Sequence, residues 1–202
     1  MTTPIRLLVA DDEEMTRTAL VALLDLEDDI RVVAECADGA TAVGAAVAER
    51  PDVALLDLEM PKLDGVGVCE KLAGSPTRTV VVTRHARPGV LRRALAGGAS
   101  GFLPKSTPAQ QVADVVRRVH GGRRFVDPDI AAMALTEADC PLTARELDVL
   151  RAARSGGTVA DIAAELHLAQ GTVRNYLSSA MTTLDARTRH EAARRAWEEG
   201  WI

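Results

Sequence analysis

The feature that most constrains this chain is a short apolar run that stops at a carboxylate. Val53-Ala54-Leu55-Leu56 leads directly into Asp57, and Met60-Pro61 and Asp64-Gly65 follow within eight residues. Four apolar residues bounded by turn chemistry mark a strand buried on both faces, as in a parallel sheet. Asp57 then lies at the carboxyl end of that strand, the edge where open α/β sheets bind ligands.

The pattern around this strand repeats. Ile5 to Ala10 is an apolar strand ending at Asp11-Asp12-Glu13-Glu14, and a helix follows with Ala19, Leu20, Leu23 and Leu24 at helical spacing. Ile30 to Ala34 is a second strand and Ala40 to Ala48 a second helix. After the Asp57 strand come a helix over Val66 to Leu72, a β-branched strand Thr79 to Val82 ending at Thr83, and a helix over Val90 to Ala96 stopped by Gly97-Gly98. A brief strand Gly101 to Leu103 ends at Pro104-Lys105. The next helix is expected to be capped by Thr107, with Pro108 at its first position and Gln110 three residues after the cap; Val112, Val115, Val116 and Val119 form its apolar face. Five strand–helix units in succession predict an α/β fold with a five-stranded parallel sheet covered on both faces over residues 1–120. With only 2% aromatic residues, the core must be built from Leu, Val, Ile and Ala.

Polar residues fall at the strand ends. Asp11 and Asp12 follow the first strand, Asp57 ends the third, Thr83 ends the fourth and Lys105 follows the fifth. In a parallel sheet these ends share one edge. Three carboxylates in one pocket repel each other unless a cation joins them, and hard oxygen ligands with access to water suit Mg²⁺. A carboxylate beside Mg²⁺ can attack a phosphoryl group to give an aspartyl phosphate. Lys105 can neutralise one phosphoryl oxygen and the Thr83 hydroxyl can donate to another. Taken singly, an Asp at a strand end is a common turn former, and an acidic run before a helix is favoured by the dipole. The complete set, each member after its own strand, is what points to chemistry.

Asp11-Asp12, Asp57 with Met60-Pro61 and Asp64-Gly65, Thr83, Phe102 and Lys105 resemble the receiver domain of two-component response regulators. The resemblance implies a doubly wound α/β fold, flavodoxin-like, with strand order 2-1-3-4-5, an order for which a receiver serves as a standard example. It implies Asp57 as phosphoacceptor, Asp12 as a direct Mg²⁺ ligand, Asp11 as a ligand largely through water, and the backbone carbonyl of Glu59 as the remaining protein ligand. Thr83 and Phe102 become the switch pair and Lys105 the phosphate-binding cation. Two positions depart from the pattern: Arg84 stands where a small residue is common, and Ser106 follows Lys105 where Pro is frequent.

Gly121-Gly122-Arg123-Arg124 ends this region, and residues 121–141 are expected to form a linker with a short helix over Pro128 to Leu135. Thr143-Ala144-Arg145-Glu146 is a capping box that opens a helix. Gly156-Gly157 ends it, and Thr158 caps a second helix over Val159 to Leu166. A third runs from Gly171 to about Leu184, with Val173, Leu177, Ala180 and Leu184 as its buried stripe, and a fourth spans Arg187 to Trp197. Two short helices joined tightly, the second polar on its outer face, describe either a helix-turn-helix or a small helical docking bundle. The string Leu142-Thr143-Ala144-Arg145-Glu146, Ile162-Ala163, Gly171-Thr172-Val173-Arg174-Asn175-Tyr176, Arg189 and Glu191-Ala192 is similar to the LuxR-type helix-turn-helix. Together with a receiver it identifies a member of the NarL/FixJ family, so residues 142–202 are expected to be a small all-α DNA-binding domain.

By that resemblance Arg174, Asn175 and Ser178 face bases, and Thr172, Tyr176 and Thr182 face phosphates; Arg174 suits either guanine or phosphate. Residues 141–202 carry 8 basic and 8 acidic groups. A neutral domain gains little from counterion release, so dimer avidity is expected on double-stranded DNA. The functional expectation is a transcription factor set by phosphorylation of Asp57 from a sensor histidine kinase, with release of the DNA-binding domain or receiver dimerisation as output. A pseudo-receiver regulator working without phosphate is the alternative. Val112, Val116 and Val119, with neighbours on the first helix, are candidate dimer contacts. A contact of Glu59 with His85 or Arg84 is expected to cover the phosphoryl group. Odd, widely spaced Cys36, Cys69 and Cys140, the lack of a signal-peptide shape and the lack of a long apolar run favour a cytoplasmic protein away from membrane.

Overall fold

The structure, a computed structural model, describes residues 3–84, 86–136 and 140–202. The chain divides into two compact units: the residues up to Ala86 with Leu91–Ala131, and Arg87–Val90 with Ala132–Ile202. The first region contains β1 (Ile5–Ala10), α1 (Glu14–Leu24), β2 (Ile30–Cys36), α2 (Gly39–Glu49), β3 (Val53–Asp57), α3 (Gly65–Leu72), β4 (Arg78–Thr83), α4 (Pro88–Ala96), β5 (Gly101–Pro104) and α5 (Ala109–His120). β6 (Phe125–Val126) and α6 (Pro128–Thr136) follow.

All strand pairs are parallel and the order is β2-β1-β3-β4-β5-β6. The expected 2-1-3-4-5 arrangement is present, with a correction at its edge. The sheet has six strands, because Phe125 and Val126 pair with Gly101 and Phe102. Phe125 and Val126 lie in the stretch expected to be linker, and two residues give no periodic signal to read. β1 and β3 are central, and every residue of β3 is buried, which is why that segment reads as continuous rather than alternating apolar sequence.

One core layer lies between the sheet and the pair α1 and α5, where Leu7, Val9, Leu55, Leu103, Val116 and Leu24 meet. Val112, Val116 and Val119 belong to this core, at 3%, 0% and 0% exposure. They are therefore not available as dimer contacts; a β-branched stripe on α5 covers the sheet. The start of α5 is also corrected. Pro108, not Thr107, is the N-cap, and its carbonyl accepts from the Val112 amide at 3.1 Å. Arg117 fastens α5 to the α1–β2 turn through Asp29 and Glu27.

The second region contains α7 (Ala144–Arg154), α8 (Val159–Glu165), α9 (Gln170–Thr183) and α10 (Arg189–Glu198). Capping boxes open α7 through Thr143 and Glu146 and α8 through Thr158 and Asp161. Glu146 is buried, and the hydrogen bond from Ser179 of α9 heads the interactions that hold its carboxyl below the usual range. The same side chain thus caps one helix and anchors the next. Leu150, Ile162, Val173, Leu177 and Ala180 fill the centre, with Leu166 and Leu184 half-buried at its margin. Full burial of each large aliphatic side chain contributes about 1.5–3 kcal/mol, which a helical unit this small needs. Arg195 of α10 donates to the carbonyls of Leu184 and Asp185, closing the C-terminal end of α9.

Candidate functional site

The site is built at the carboxyl edge of the sheet, beginning with the loop after β3. Asp64 caps α3 by accepting from the Gly67 amide at 2.7 Å, and the Gly65 amide donates to the Leu58 carbonyl at 2.9 Å. This turn brings the chain back against its own strand. A Cβ on Gly65 would stand 2.3 Å from the Asp57 carbonyl oxygen, so only glycine allows that approach. Lys62 takes a left-handed φ of 67° and bonds Asp38, the cap of α2, at 2.7 Å. The loop carrying Asp57 is thereby fixed from two sides.

Asp11, Asp12 and Asp57 each offer a carboxylate oxygen, and the three lie within 4.8 Å of one another. Lys105 enters from the β5–α5 loop, with Nζ 2.8 Å from Asp11 and 2.9 Å from Asp57. Asp11 is held further by its backbone carbonyl, which accepts from Arg17, and by its side chain, which accepts from the Glu13 amide at 2.9 Å. Asp11, Asp57 and Thr83 are buried while Asp12 and Glu59 are exposed. Register places Asp57 beside Val82, adjacent to Thr83. Phe102 on β5 is fully buried. The receiver residues read from the sequence are thus brought to one edge, Phe102 excepted, which points into the protein.

Burial pushes the Asp57 carboxyl up from 3.8 to about 6, against the opposing pull of Lys105 and with help from the negative charge of Asp11. Burial alone would lower Lys105, but its hydrogen bonds to Asp11 and Asp57 outweigh that and hold the ammonium above its ordinary range. The donor set is therefore two buried carboxylates, one exposed carboxylate and one ammonium. Three hard oxygen ligands with one side open to water fit Mg²⁺.

A polar pocket of about 100 Å³ opens beside Asp57, lined by Asp12, Glu13, Glu59, Thr83, Arg84 and Lys105. Glu13 reads from the sequence only as one member of an acidic helix start, and Arg84 as a departure from the pattern and a partner for Glu59, so their pairing with each other is not foreseen. In the structure Glu13 bonds Arg84 and Thr16 and lies 3.5 Å from Lys105. The expected Glu59–Arg84 contact is corrected accordingly: Arg84 turns to Glu13, which already faces it across the pocket. His85, the other expected partner of Glu59, lies outside the described residues.

In the second unit, α8 and α9 are joined by a turn in which His167 has φ 53°. Arg174, Asn175, Ser178 and Thr182 are exposed on α9, and Thr172 and Tyr176 are half-buried. Tyr176 packs against the helical core. Arg174 donates to Gln170 at 3.4 Å, and Thr182 donates to the Ser178 carbonyl at 3.0 Å. Gln170 escaped the sequence reading because it fell in the expected turn; the helix begins there instead.

Parallel sheet, acidic edge with its lysine, and separate helix-turn-helix together define a receiver linked to a DNA-binding output. Comparison with known proteins agrees. Residues 7–117 match the response regulator receiver domain and residues 140–196 match the bacterial regulatory proteins of the luxR family. The uncharacterized transcriptional regulatory protein YvfU of Bacillus subtilis is 41% identical over 98% of this chain and 100% of its own. Transcriptional regulatory protein DesR of the same organism is 38% identical, covering 98% and 99%. The crystal structure of response regulator ChrA, from a heme-sensing two-component system, is 28% identical and covers both chains fully at a TM-score of 0.59. The chain belongs to the LuxR-type response regulators, the NarL/FixJ family, and is a two-component regulator of transcription. Among the described residues no helix is long and apolar enough to cross a membrane.

The raised Asp57 pKa has a measurable effect on stability. A carboxyl with a higher pKa folded than unfolded binds more protons in the folded state, so stability falls as pH rises from about 4 to about 6. In Mg²⁺-free buffer Asp57→Asn should stabilise the first unit by on the order of 2 kcal/mol at pH 7. The gain should shrink towards pH 4. Far-UV circular dichroism melts of both proteins across this range check it; an equal gain at both pH values would mean that ionisation of Asp57 is not the cause.

Proposed function

We propose that Asp57 is the phosphoacceptor and that its phosphorylation by a sensor histidine kinase sets DNA binding by the second unit. The observation that carries this reading is Lys105 held within 3 Å of both Asp11 and Asp57 at the end of β3. A buried carboxylate with an ammonium on it and two further acids beside it is a nucleophile with a prepared phosphate site. Asp12, Asp11, Asp57 and the Glu59 carbonyl would hold Mg²⁺, which supplies charge neutralisation between the carboxylates and the incoming phosphoryl oxygens. Lys105 then binds one phosphoryl oxygen, and the Thr83 hydroxyl donates to another. Phe102 on β5 packs as the buried member of the switch pair, so a shift of Thr83 is felt on the α4–β5 side. The intact residue set supports this over a regulator that works without phosphate. Its place would be the cytoplasm, where the kinase and the genome meet it.

Asp57→Asn should abolish phosphorylation by acetyl phosphate with Mg²⁺, since an amide is not nucleophilic. Intact-mass spectrometry should show one phosphoryl adduct on the wild type and none on the mutant, and footprinting should show phosphate-enhanced protection for the wild type alone. An equal adduct on both proteins would remove Asp57 from the mechanism.

On DNA, α9 is the recognition helix, with Arg174, Asn175 and Ser178 towards bases and Thr172, Tyr176 and Thr182 towards phosphates. The Ala169 cap leaves the first amides of α9 without a side-chain acceptor, which suits a DNA phosphate at the helix N-terminus. Arg174→Ala should weaken binding by about 1–3 kcal/mol and relax one operator position if Arg174 reads guanine. Uniform weakening with a smaller salt slope would make it a phosphate contact. Titration of mutant and wild type on an operator mapped by footprinting decides.

The neutral second unit supports a homodimer on activation. With the α5 valines buried, a continuous exposed apolar stripe on the first unit runs along α1: Met15 and Leu23 are 84% and 48% exposed, Leu26 just beyond the helix is 77% exposed, and Ala19 and Ala22 lie between, while Val47 on α2 is exposed singly. Spacings of four, three and one residues place Met15, Ala19, Ala22 and Leu23 on one helical face. Leu23→Asp should keep the phosphorylated protein monomeric in light scattering, while the wild type doubles its mass. A dimer unaffected by this charge would place the interface elsewhere.

A further inference from the structure

Beyond Lys105, the edge holds a second cation, Arg84, which among the described residues pairs with a carboxylate from another loop, Glu13. Asp57 and Lys105, then Glu13, then Arg84 form a chain of alternating charge from the buried acceptor outwards. Lys105 Nζ is 2.9 Å from Asp57 and 3.5 Å from Glu13, and Glu13 accepts from Arg84. Exposure rises along it: the Lys105 side chain is 10% exposed, Glu13 35% and Arg84 59%. Arg84 and Asp57 line the same pocket of about 100 Å³. Arg84 also follows Thr83 directly, one residue beyond the end of β4, at the mouth of this pocket.

A half-exposed ion pair is weakly held, because water screens it and two flexible side chains must be ordered. A phosphoryl group on Asp57 brings nearly two negative charges and three acceptor oxygens into the pocket. A guanidinium binds such a group through two parallel hydrogen bonds, better than it binds a carboxylate shared with Thr16 and Lys105. Lys105 must turn to the same group, which loosens its hold on Glu13. Both changes favour release of Arg84 towards the phosphorus.

Resting on Asp57 as acceptor, we propose that Arg84 is a second phosphoryl-binding cation, held in reserve by Glu13, that draws in anionic phosphodonors and then shields the aspartyl phosphate from water. In the transfer an Asp57 carboxylate oxygen bonds phosphorus while the bond from phosphorus to the donor's leaving atom breaks. With acetyl phosphate this is a phosphorus–oxygen bond and acetate leaves with the electron pair; with N-protonated phosphoramidate it is a phosphorus–nitrogen bond and ammonia leaves with the pair. In hydrolysis a water oxygen bonds phosphorus, the bonding pair returns to the Asp57 carboxylate, and inorganic phosphate and a proton are released. Arg84 favours the first step by attracting the donor and slows the second by occupying the space beside the phosphoryl oxygens.

The test measures phosphorylation rate and adduct decay by intact mass on the full chain, at fixed Mg²⁺ and pH. Acetyl phosphate is used at several ionic strengths, with the less negative phosphoramidate alongside. Arg84→Ala should slow phosphorylation by acetyl phosphate about three- to tenfold, less for phosphoramidate, and flatten the salt dependence, since a steering charge is lost. Its adduct should decay several times faster. Arg84→Lys should restore most of the rate but less of the lifetime. Glu13→Gln should act in the opposite sense, and its effect should vanish in the Arg84→Ala background if Glu13 works through Arg84. A wild type that takes no adduct on Asp57 overturns the acceptor reading itself. An Asp57 adduct whose formation and decay are unchanged in Arg84→Ala overturns only the role of Arg84, as does a Glu13→Gln effect that persists without Arg84.

Discussion

The contact on which the site depends is the ammonium of Lys105 between two buried carboxylates. Without it, Asp57 would face Asp11 in a poorly solvated edge with nothing to offset their repulsion. With it, Lys105 pulls against the burial of Asp57, although burial still dominates and leaves its pKa near 6. The rest of the first unit can be understood as scaffolding for this arrangement. β1 and β3 are central strands buried on both faces, so the two carboxylates at their ends have little freedom to separate. Gly65, the Asp64 cap and the Lys62–Asp38 pair close the loop behind Asp57.

The same arrangement makes the resting state a compromise. A charge pocket ideal for carboxylates alone would leave no interaction to be gained by a phosphoryl group. Here the acids outnumber the cations, and the cations are long side chains anchored at backbone positions while their tips can move. On the proposed reading, charge added at Asp57 has partners to recruit, and the energy of recruitment is available to shift the ends of β4 and β5, where Thr83 closes one strand and Lys105 follows the other. A regulator needs that difference between states more than it needs a stable resting site.

How much was legible follows from what each signal depends on. The alternation of strands and helices depends on local periodicity, and the elements with long apolar runs appear where expected. Asp11, Asp12, Asp57, Thr83 and Lys105 sit at strand ends, so topology alone brings them together. β6 was hidden because two residues, Phe125 and Val126, carry no period. The α5 valines were assigned a possible surface role because sequence cannot say which side of an apolar stripe meets the sheet and which meets solvent. Glu13 and Arg84 were missed as a pair because they come from different loops, β1–α1 and β4–α4, and an ion pair between loops leaves no mark in spacing. Gln170 was lost to a one-residue uncertainty at a helix start.

The sixth strand changes the mechanics of the connection between the units. A linker expected to leave the sheet at Gly121 instead lays a two-residue strand beside β5 before entering the expected helix at Pro128. The nine residues of α6 advance the chain by about 13 Å as a helix, against about 30 Å if extended. Viewed as a polymer, the tether is shorter and stiffer than its residue count suggests. Because β6 bonds to the strand that carries Phe102, tension along this segment acts directly on the edge of β5.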